Sequence, residues 1–110
     1  MKILITGHKG FIGQNLVKFL ADHDLSFYQP GDALPVVNGL DWVIHLGALT
    51  STTETDVAKV LEANYDFSRW LVNECIQHKV NFQYSSSASI YGLNKKFNES
   101  SPADPRSPYA

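Results

Sequence analysis

The segment Thr6-Gly7-His8-Lys9-Gly10-Phe11-Ile12-Gly13 constrains this chain more than any other. Its glycines recur every third residue, directly behind a short apolar run and directly ahead of a stretch with helical periodicity. Each glycine has a physical task at a strand-to-helix junction. Gly7 lets the chain leave the strand in a tight turn. Gly10 removes a side chain where main chain must approach a pyrophosphate. Gly13 lets the helix pack close on the strand. The helix start then offers free N–H groups and a partial positive charge to phosphates. Three glycines alone say little, but the strand–turn–helix setting is the one a dinucleotide site needs.

The rest of the chain continues the alternation. Lys2 to Thr6 is a continuous apolar run of the kind that suits a strand covered on both faces. From Phe11 to Asp22, Phe11, Ile12, Leu16, Val17, Phe19, Leu20 and Ala21 predict a helix with one apolar face. Leu25 to Gln29 reads as a second strand. A loop marked by Pro30, Gly31, Pro35 and Gly39 follows, and it is too short to hold a further strand–helix pair. Asp41 to Leu46 reads as the third strand. Thr53, with Glu54 and Asp56 behind it, predicts the start of a helix reaching His78, with a break near Asn64. Leu61, Tyr65, Leu71, Cys75 and Ile76 are expected to share a buried stripe on it. Val80 to Ser85 is the fourth strand, and loop begins at Gly92. This order predicts the α/β class: a doubly wound parallel sheet of Rossmann type with about four strands and right-handed crossovers. Such sheets normally carry more strands. The expectation is one dinucleotide-binding domain over residues 1–110, truncated and without a substrate domain.

Composition narrows the partners. With 9 basic and 11 acidic side chains the net charge is -2, so no basic field exists to draw nucleic acid or an anionic membrane. Cys75 is the only cysteine, which rules out an internal disulfide and fits a reducing cytoplasm. The opening apolar run is too short for a membrane span or a signal peptide. A cytoplasmic protein is expected. No Cys, His and acid cluster has metal spacing, so no metal is expected.

The cofactor subtype stays open. An acid ending the second strand would hold ribose hydroxyls, yet the chain reads Tyr28-Gln29-Pro30-Gly31-Asp32 there. Gln29 stands at the expected place, and Asp32 follows from the loop. Both NAD and NADP are carried forward. Other polar residues take plainer readings. Lys9 is read as solvated, His45 as a packed, hydrogen-bonded histidine, and His23 and His78 as helix-closing cations. Cys75, Trp42 and Trp70 are read as packing residues.

Tyr84-Ser85-Ser86-Ser87-Ala88-Ser89-Ile90-Tyr91-Gly92 follows the fourth strand, at the strand end where open α/β sheets bind ligands. Taken alone, these serines would cap a turn. Together with Thr6-Gly7-x-x-Gly10-Phe11-Ile12-Gly13, His45-Leu46-Gly47-Ala48 and Ser107-Pro108-Tyr109, in that order, they resemble the extended short-chain dehydrogenase/reductases. These are NAD(P)-dependent nucleotide-sugar epimerases and dehydratases. Within the family, Gly47 to Glu54 and the stretch around Asn64-Tyr65 look most like the ADP-glyceromanno-heptose 6-epimerase branch.

The resemblance implies roles. Ser87 matches the family's catalytic serine, which hydrogen-bonds the reacting sugar oxygen. Tyr109 matches the catalytic tyrosine, which takes the hydroxyl proton as hydride leaves for the nicotinamide. A free tyrosine has a pKa near ~10 and needs a cation to act at neutral pH. The family's lysine for this task would lie beyond Ala110. Gly7, Gly10, Phe11, Ile12 and Gly13 match the cofactor-binding turn, with Gln29 at the ribose. Leu46, Gly47 and Ala48 match the segment passing under the cofactor. Asn64 matches a family asparagine lining the same region, and a helix cap or break is its alternative. The implied parent enzyme takes a nucleotide-sugar substrate, and this chain by itself is expected to be inactive. The alternatives are a non-catalytic NAD(P)-binding or sensor module and an interaction protein reusing the fold. A sheet with open edges predicts a homo-oligomer.

Overall fold

The computed structural model describes residues 1–51 and 53–110. Strand β1 (Lys2–Thr6) leads through the glycine turn into helix α1 (Phe11–Phe19), then β2 (Asp24–Tyr28) and β3 (Trp42–His45). Helix α2 (Val57–Leu61), a π turn (Glu62–Asp66) and helix α3 (Phe67–His78) follow as one continuous rod. Strand β4 (Asn81–Tyr84) and a 3-10 turn (Ala88–Tyr91) complete the regular structure. The strands form one sheet in the order β2-β1-β3-β4, and every neighbouring pair is parallel. The chain therefore winds outward from β1 to β2 and crosses back to β3. The order reverses between β1 and β3, the place where open sheets of this class form a crevice.

Successive strand residues point to opposite faces. Leu4 and Val43, paired in register, join Val37, Leu71, Cys75 and Val80 in a buried cluster on one face. Tyr28, Leu40, Phe67, Trp70 and Phe82 pack against that cluster, so α3 and the 29–41 connection cover it together. Cys75 and Trp70 thus pack as their apolar settings suggest. The connection holds no strand or helix and sends only Val37 fully inward. Ile3 and Ile5 alternate to the other face and are equally buried. Asp41 ties the opposite ends of the strands, its carboxylate accepting from the Lys2 amide at 2.7 Å and its carbonyl from Asn81 Nδ2 at 3.0 Å.

Three local expectations are corrected. Helix α1 stops at Phe19, where the Leu20 amide donates to Leu16 O, and Ala21 and Asp22 lie in a turn. Its apolar residues do not share a face, because Phe11, Ile12 and Phe19 are exposed. At roughly 100° per residue, Ile12 and Phe19 stand about 100–120° from buried Gly13. The long helix starts at Val57 rather than at about Glu54, and Asp56, not Thr53, is its cap, with Oδ1 accepting from the Lys59 amide at 3.1 Å. No break occurs at Asn64; the backbone widens into the π turn and continues. Of the expected stripe, Leu71 and Cys75 are buried while Leu61, Tyr65 and Ile76 are exposed. Ile76 is five residues past Leu71, about 140° around the helix. Leu61 and Tyr65 lie ahead of or inside the π turn, which shifts the helical phase.

Gly13 sets the distance between α1 and the turn. A Cβ there would collide with the Gly7 carbonyl oxygen and lie 2.7 Å from His8 Cα, all of it backbone. Gly13→Ala is therefore expected to cost about 1–3 kcal/mol or more, the scale of overpacking a tight interior. Urea unfolding of the two proteins checks this, and an unchanged midpoint would refute it.

Candidate functional site

The carboxyl ends of β1, β3 and β4 open onto a cleft of about 1260 Å³. Its floor is backbone. Gly7 has φ +72°, which only glycine adopts without strain, and a Cβ on it would lie 2.7 Å from Gly47 N. The ends of β1 and β3 thus meet main chain to main chain. The Gly10 amide closes the turn on Gly7 O at 3.0 Å, and Gln14 Nε2 donates to Lys9 O at 2.6 Å.

Gly10 is the extended N-cap of α1, and among the described residues no side chain caps this helix. The amides of Phe11, Ile12 and Gly13 precede the first helical acceptor, so the helix leaves them without an intrahelical partner. All three residues line the cleft. A Cβ on Gly10 would meet only Gly7 O, at 3.3 Å. That approach to backbone is tight, but looser than the ones a Cβ would make at Gly7 or Gly13. The bare position keeps space free above a row of unpaired donors, which fits a pyrophosphate.

Beneath the cleft lies a hydrogen-bonded chain. The Gly47 amide donates to Thr6 Oγ1 at 3.0 Å, and Thr6 Oγ1 meets His45 Nδ1 at 2.6 Å. His45 Nε2 meets Ser68 Oγ at 2.7 Å, and Ser68 Oγ donates to the Asn64 carbonyl at 2.6 Å. Ser68 has spent its hydrogen, so Nε2 carries the ring proton and Nδ1 accepts from Thr6. Every group is satisfied when the imidazole is neutral. Burial, which penalises the charged form, pushes the His45 pKa down from its ordinary value. The Asn64 amide works in the other direction: Oδ1 accepts from the Leu49 amide at 2.7 Å and Nδ2 donates to Leu49 O at 2.9 Å. It neither caps nor breaks the helix. It clamps the loop that follows β3.

The far wall comes from residues after β4. Ser85, Ser86 and Ser87 line it, and Tyr109 and Ala110 close it. Ser87 is the N-cap of the 3-10 turn; its oxygen accepts from Ser89 N at 3.2 Å and from Ser89 Oγ at 2.9 Å. Its own hydroxyl hydrogen has no acceptor among the described residues. The Asp104 amide donates to Ile90 O, and Asp104 Oδ2 accepts from the Leu93 amide at 3.1 Å, which returns the 103–110 segment to the cleft. The Leu93 amide, then Arg106, hold the Asp104 carboxyl below the usual carboxylate range.

Gly7, Gly10, Phe11, Ile12, Gly13, Leu46, Gly47, Ala48, Asn64, Ser87 and Tyr109 all surround this one cleft. Gln29 does not line it; its amide is held by Asp32 Oδ2 at 3.0 Å. Sequence reasoning missed Thr6 and Ser68. Thr6 and His45 are register partners at the ends of two buried parallel strands, and that polar pair was the available signal. Among the described residues, no group of His, Cys, Asp and Glu is arranged to hold a metal ion, and no helix is long and apolar enough to cross a membrane.

A parallel sheet reversing at a glycine turn, with free amides on one wall and hydroxyls on the other, defines a dinucleotide-binding class of fold. The chain belongs to the NAD dependent epimerase/dehydratase family, whose model matches residues 23–110. It is similar to an ADP-L-glycero-D-manno-heptose-6-epimerase of Cupriavidus pinatubonensis, at 34% identity over 128 residues, 90% of this chain and 39% of that protein. Thr52, inside the stretch resembling that branch, lies outside the described residues. Among solved structures, MoeE5 in complex with UDP-glucuronic acid and NAD superposes with a TM-score of 0.84 at 27% identity, over 99% of this chain and 44% of that one. RMD from Pseudomonas aeruginosa complexed with NADPH gives 0.73 at 25% identity, over 98% and 44%. The chain thus spans about two-fifths of the length of its relatives.

The neutral His45 network sets a pH dependence. The unfolded histidine takes its proton near ~6.5, whereas the folded one resists until lower pH. The unfolded state therefore binds more protons below ~6.5, so stability is full above that value and falls as pH drops through the lowered folded value. Urea midpoints at about pH 7.5 and about pH 5.5 should differ in that direction, and the difference should shrink in His45→Asn. Equal midpoints in the native protein would refute the assignment.

Proposed function

We propose that these residues form the cofactor-binding part of an NAD(P)-dependent nucleotide-sugar epimerase or dehydratase that works by transient hydride transfer. The observation that carries this reading is the uncapped first turn of α1, left open by Gly10 and facing Ser87 and Tyr109 across one cleft. The cleft exceeds the ~300–1,000 Å³ of ordinary small-molecule pockets, as a dinucleotide and a second ligand together require. Family membership and the nucleotide-sugar and dinucleotide complexes of its relatives support the same reading.

When bound, NAD(P) supplies the hydride acceptor and donor. The chain supplies the rest. The amides of Phe11, Ile12 and Gly13 hold the pyrophosphate. Leu46, Gly47 and Ala48 form the surface beneath the dinucleotide, and Asn64 holds that loop in place through Leu49. Ser87, its oxygen already engaged as a cap, directs its hydroxyl hydrogen to the reacting sugar oxygen. Tyr109 accepts the sugar hydroxyl proton at its phenolic oxygen. Turnover by this reading also needs residues that hold the sugar nucleotide and a cation beside the tyrosine, so the 110-residue chain binds cofactor without converting substrate. The exposed apolar residues Val57, Leu61 and Ile76 along α2 and α3 favour association between copies in a soluble, cytoplasmic protein.

The test is calorimetric. The chain should bind NAD or NADP, and Gly10→Val should weaken that binding by about 10-fold or more, the ~1.4 kcal/mol scale of one lost contact set. Its urea midpoint should fall less than that of Gly13→Ala, since a Cβ at Gly10 meets one backbone atom at 3.3 Å. Sedimentation should report a dimer or larger species. Absence of dinucleotide binding in the unmodified chain, or turnover of a nucleotide sugar by it, would overturn the reading.

A further inference from the structure

Of the chain's seven asparagines, only Asn38 precedes a glycine. Asn38 and Gly39 lie in the connection between β2 and β3, and both are exposed. They form the middle of a turn that the Leu40 amide closes on Val37 O at 3.2 Å. Gly39 has φ +86° at the third position, which glycine favours. The chain is anchored on either side. Val37 is 1% exposed in the core, and Leu40 packs against the same cluster. Asp41 then accepts from the Lys2 amide at the start of β3. Between these anchors the Gly39 amide has no hydrogen-bond partner among the described residues. A Cβ on Gly39 would meet nothing within 4 Å.

Asparagine is a chemically labile residue. The amide nitrogen that follows it attacks the side-chain carbonyl carbon most readily under three conditions. The N–H must be free, the next Cα must carry no side chain, and the asparagine side chain must be loose. Asn38 meets all three. Its side chain has no partner among the described residues, whereas Asn15 Nδ2 donates to Phe11 O, Asn81 Nδ2 to Asp41 O and Asn94 Nδ2 to Tyr91 O. Asn64 grips Leu49, and Asn98 Oδ1 accepts from the Ser100 hydroxyl at 2.8 Å. Asn73 lies inside α3, where the following amide is committed to the helix.

We propose that Asn38 is a site of spontaneous deamidation, and that its isoaspartyl product loosens the connection between β2 and β3. The Gly39 nitrogen gives up its proton and bonds to Asn38 Cγ. The Cγ–Nδ2 bond breaks, and Nδ2 departs as ammonia with that proton. A cyclic imide joins the two residues. Water, the one co-reactant, opens it without any oxidation or reduction. Attack at Cγ leaves an ordinary aspartate. Attack at the main-chain carbonyl carbon leaves an isoaspartyl link, in which the backbone runs through Cβ and Cγ and is one atom longer. Either product carries a new negative charge.

The setting of the turn decides the consequence. Val37 and Leu40 both reach the core from its two ends, so a longer backbone between them must move one of the two. Packed interiors respond to displacements of that size. The turn precedes β3, whereas the cleft lies past the carboxyl ends of the strands. The change therefore acts on the core and not on the cleft.

Peptide mapping by mass spectrometry after timed incubation of the intact chain tests the site. Asn38 should lose its amide at least about 10-fold faster than any of the other six asparagines, a barrier difference of ~1.4 kcal/mol. The rate should rise with pH, because the attacking nitrogen must shed its proton. Asn38→Gln needs a larger ring and should abolish the fast reaction at this position. The reacted fraction, separated by ion exchange on its added charge, should unfold at lower urea than the unreacted chain. Asn38→Asp, which adds the charge without the extra atom, should unfold close to the unreacted chain. An Asn38 that reacts no faster than the other asparagines would overturn the site. A reacted fraction with the same urea midpoint as Asn38→Asp would overturn its effect on the core.

Discussion

The rest of the molecule depends on a contact between two backbones. Where β1 ends, Gly7 turns with positive φ and lies against Gly47, the second residue past β3, with no room for a side chain on Gly7. The sheet reverses its winding between these two strands. If either approach widened, the first turn of α1 would no longer face the loop after β3, and the cleft would lose its floor. Gly13 enforces the same closeness from the helix side, since its missing Cβ leaves the Gly7 carbonyl where it is. Two of the three glycines therefore serve the protein's own packing. Gly10 is the least crowded of the three, its Cβ position meeting Gly7 O alone.

A backbone junction this tight leaves polar groups that water cannot reach, and the His45 chain disposes of them. Thr6 Oγ1 takes up the Gly47 amide, His45 takes up Thr6, Ser68 takes up His45, and the Asn64 carbonyl takes up Ser68. A buried amide left unpaired there would cost about 1–3 kcal/mol. The chain ends at the π turn, and this gives that turn a physical purpose. Within the widened segment, Asn64 offers its carbonyl to Ser68 while its side-chain amide grips Leu49 on the other side. π turns recur at functional sites because they re-aim single residues in this way. The glycine turn, the loop after β3 and the long helix are thereby one connected unit.

Sequence made the junction legible and left the connections dark. The glycine spacing, the apolar run of β1 and the brevity of the 29–41 connection are local signals, and each foretold its element. The helix boundaries were harder. Thr53, Glu54 and Asp56 all resemble a helix start, and only the folded chain decides that Asp56 receives the Lys59 amide. The spacing of the apolar residues in α1 and in the long helix predicts single faces. Phe11, Ile12 and Tyr65 instead border the cleft, and Leu61 and Ile76 are exposed away from the core. Exposure of a large apolar residue at a binding surface cannot be told from core patterning in one sequence, because both present the same side chains at the same spacing. Asn64 was visible as a family position, but its partner Leu49 lies 15 residues away, across a loop that no periodicity describes.

The same distinction between position and placement bears on Gln29 and Asp32. A rule that asks which residue ends the second strand finds an amide and stops. Folding asks instead which side chain arrives there, and a turn through Pro30 and Gly31 delivers a carboxylate from three residues on. The two questions share an answer only when the strand runs straight into its helix. In this chain a short, helix-free connection follows β2, and the Asp32 carboxylate comes back to the strand end. Recognition of a small ligand depends on where atoms come to rest. In loops as short as this one, a single hydrogen bond to a backbone amide is enough to return a carboxylate to a strand end three residues earlier.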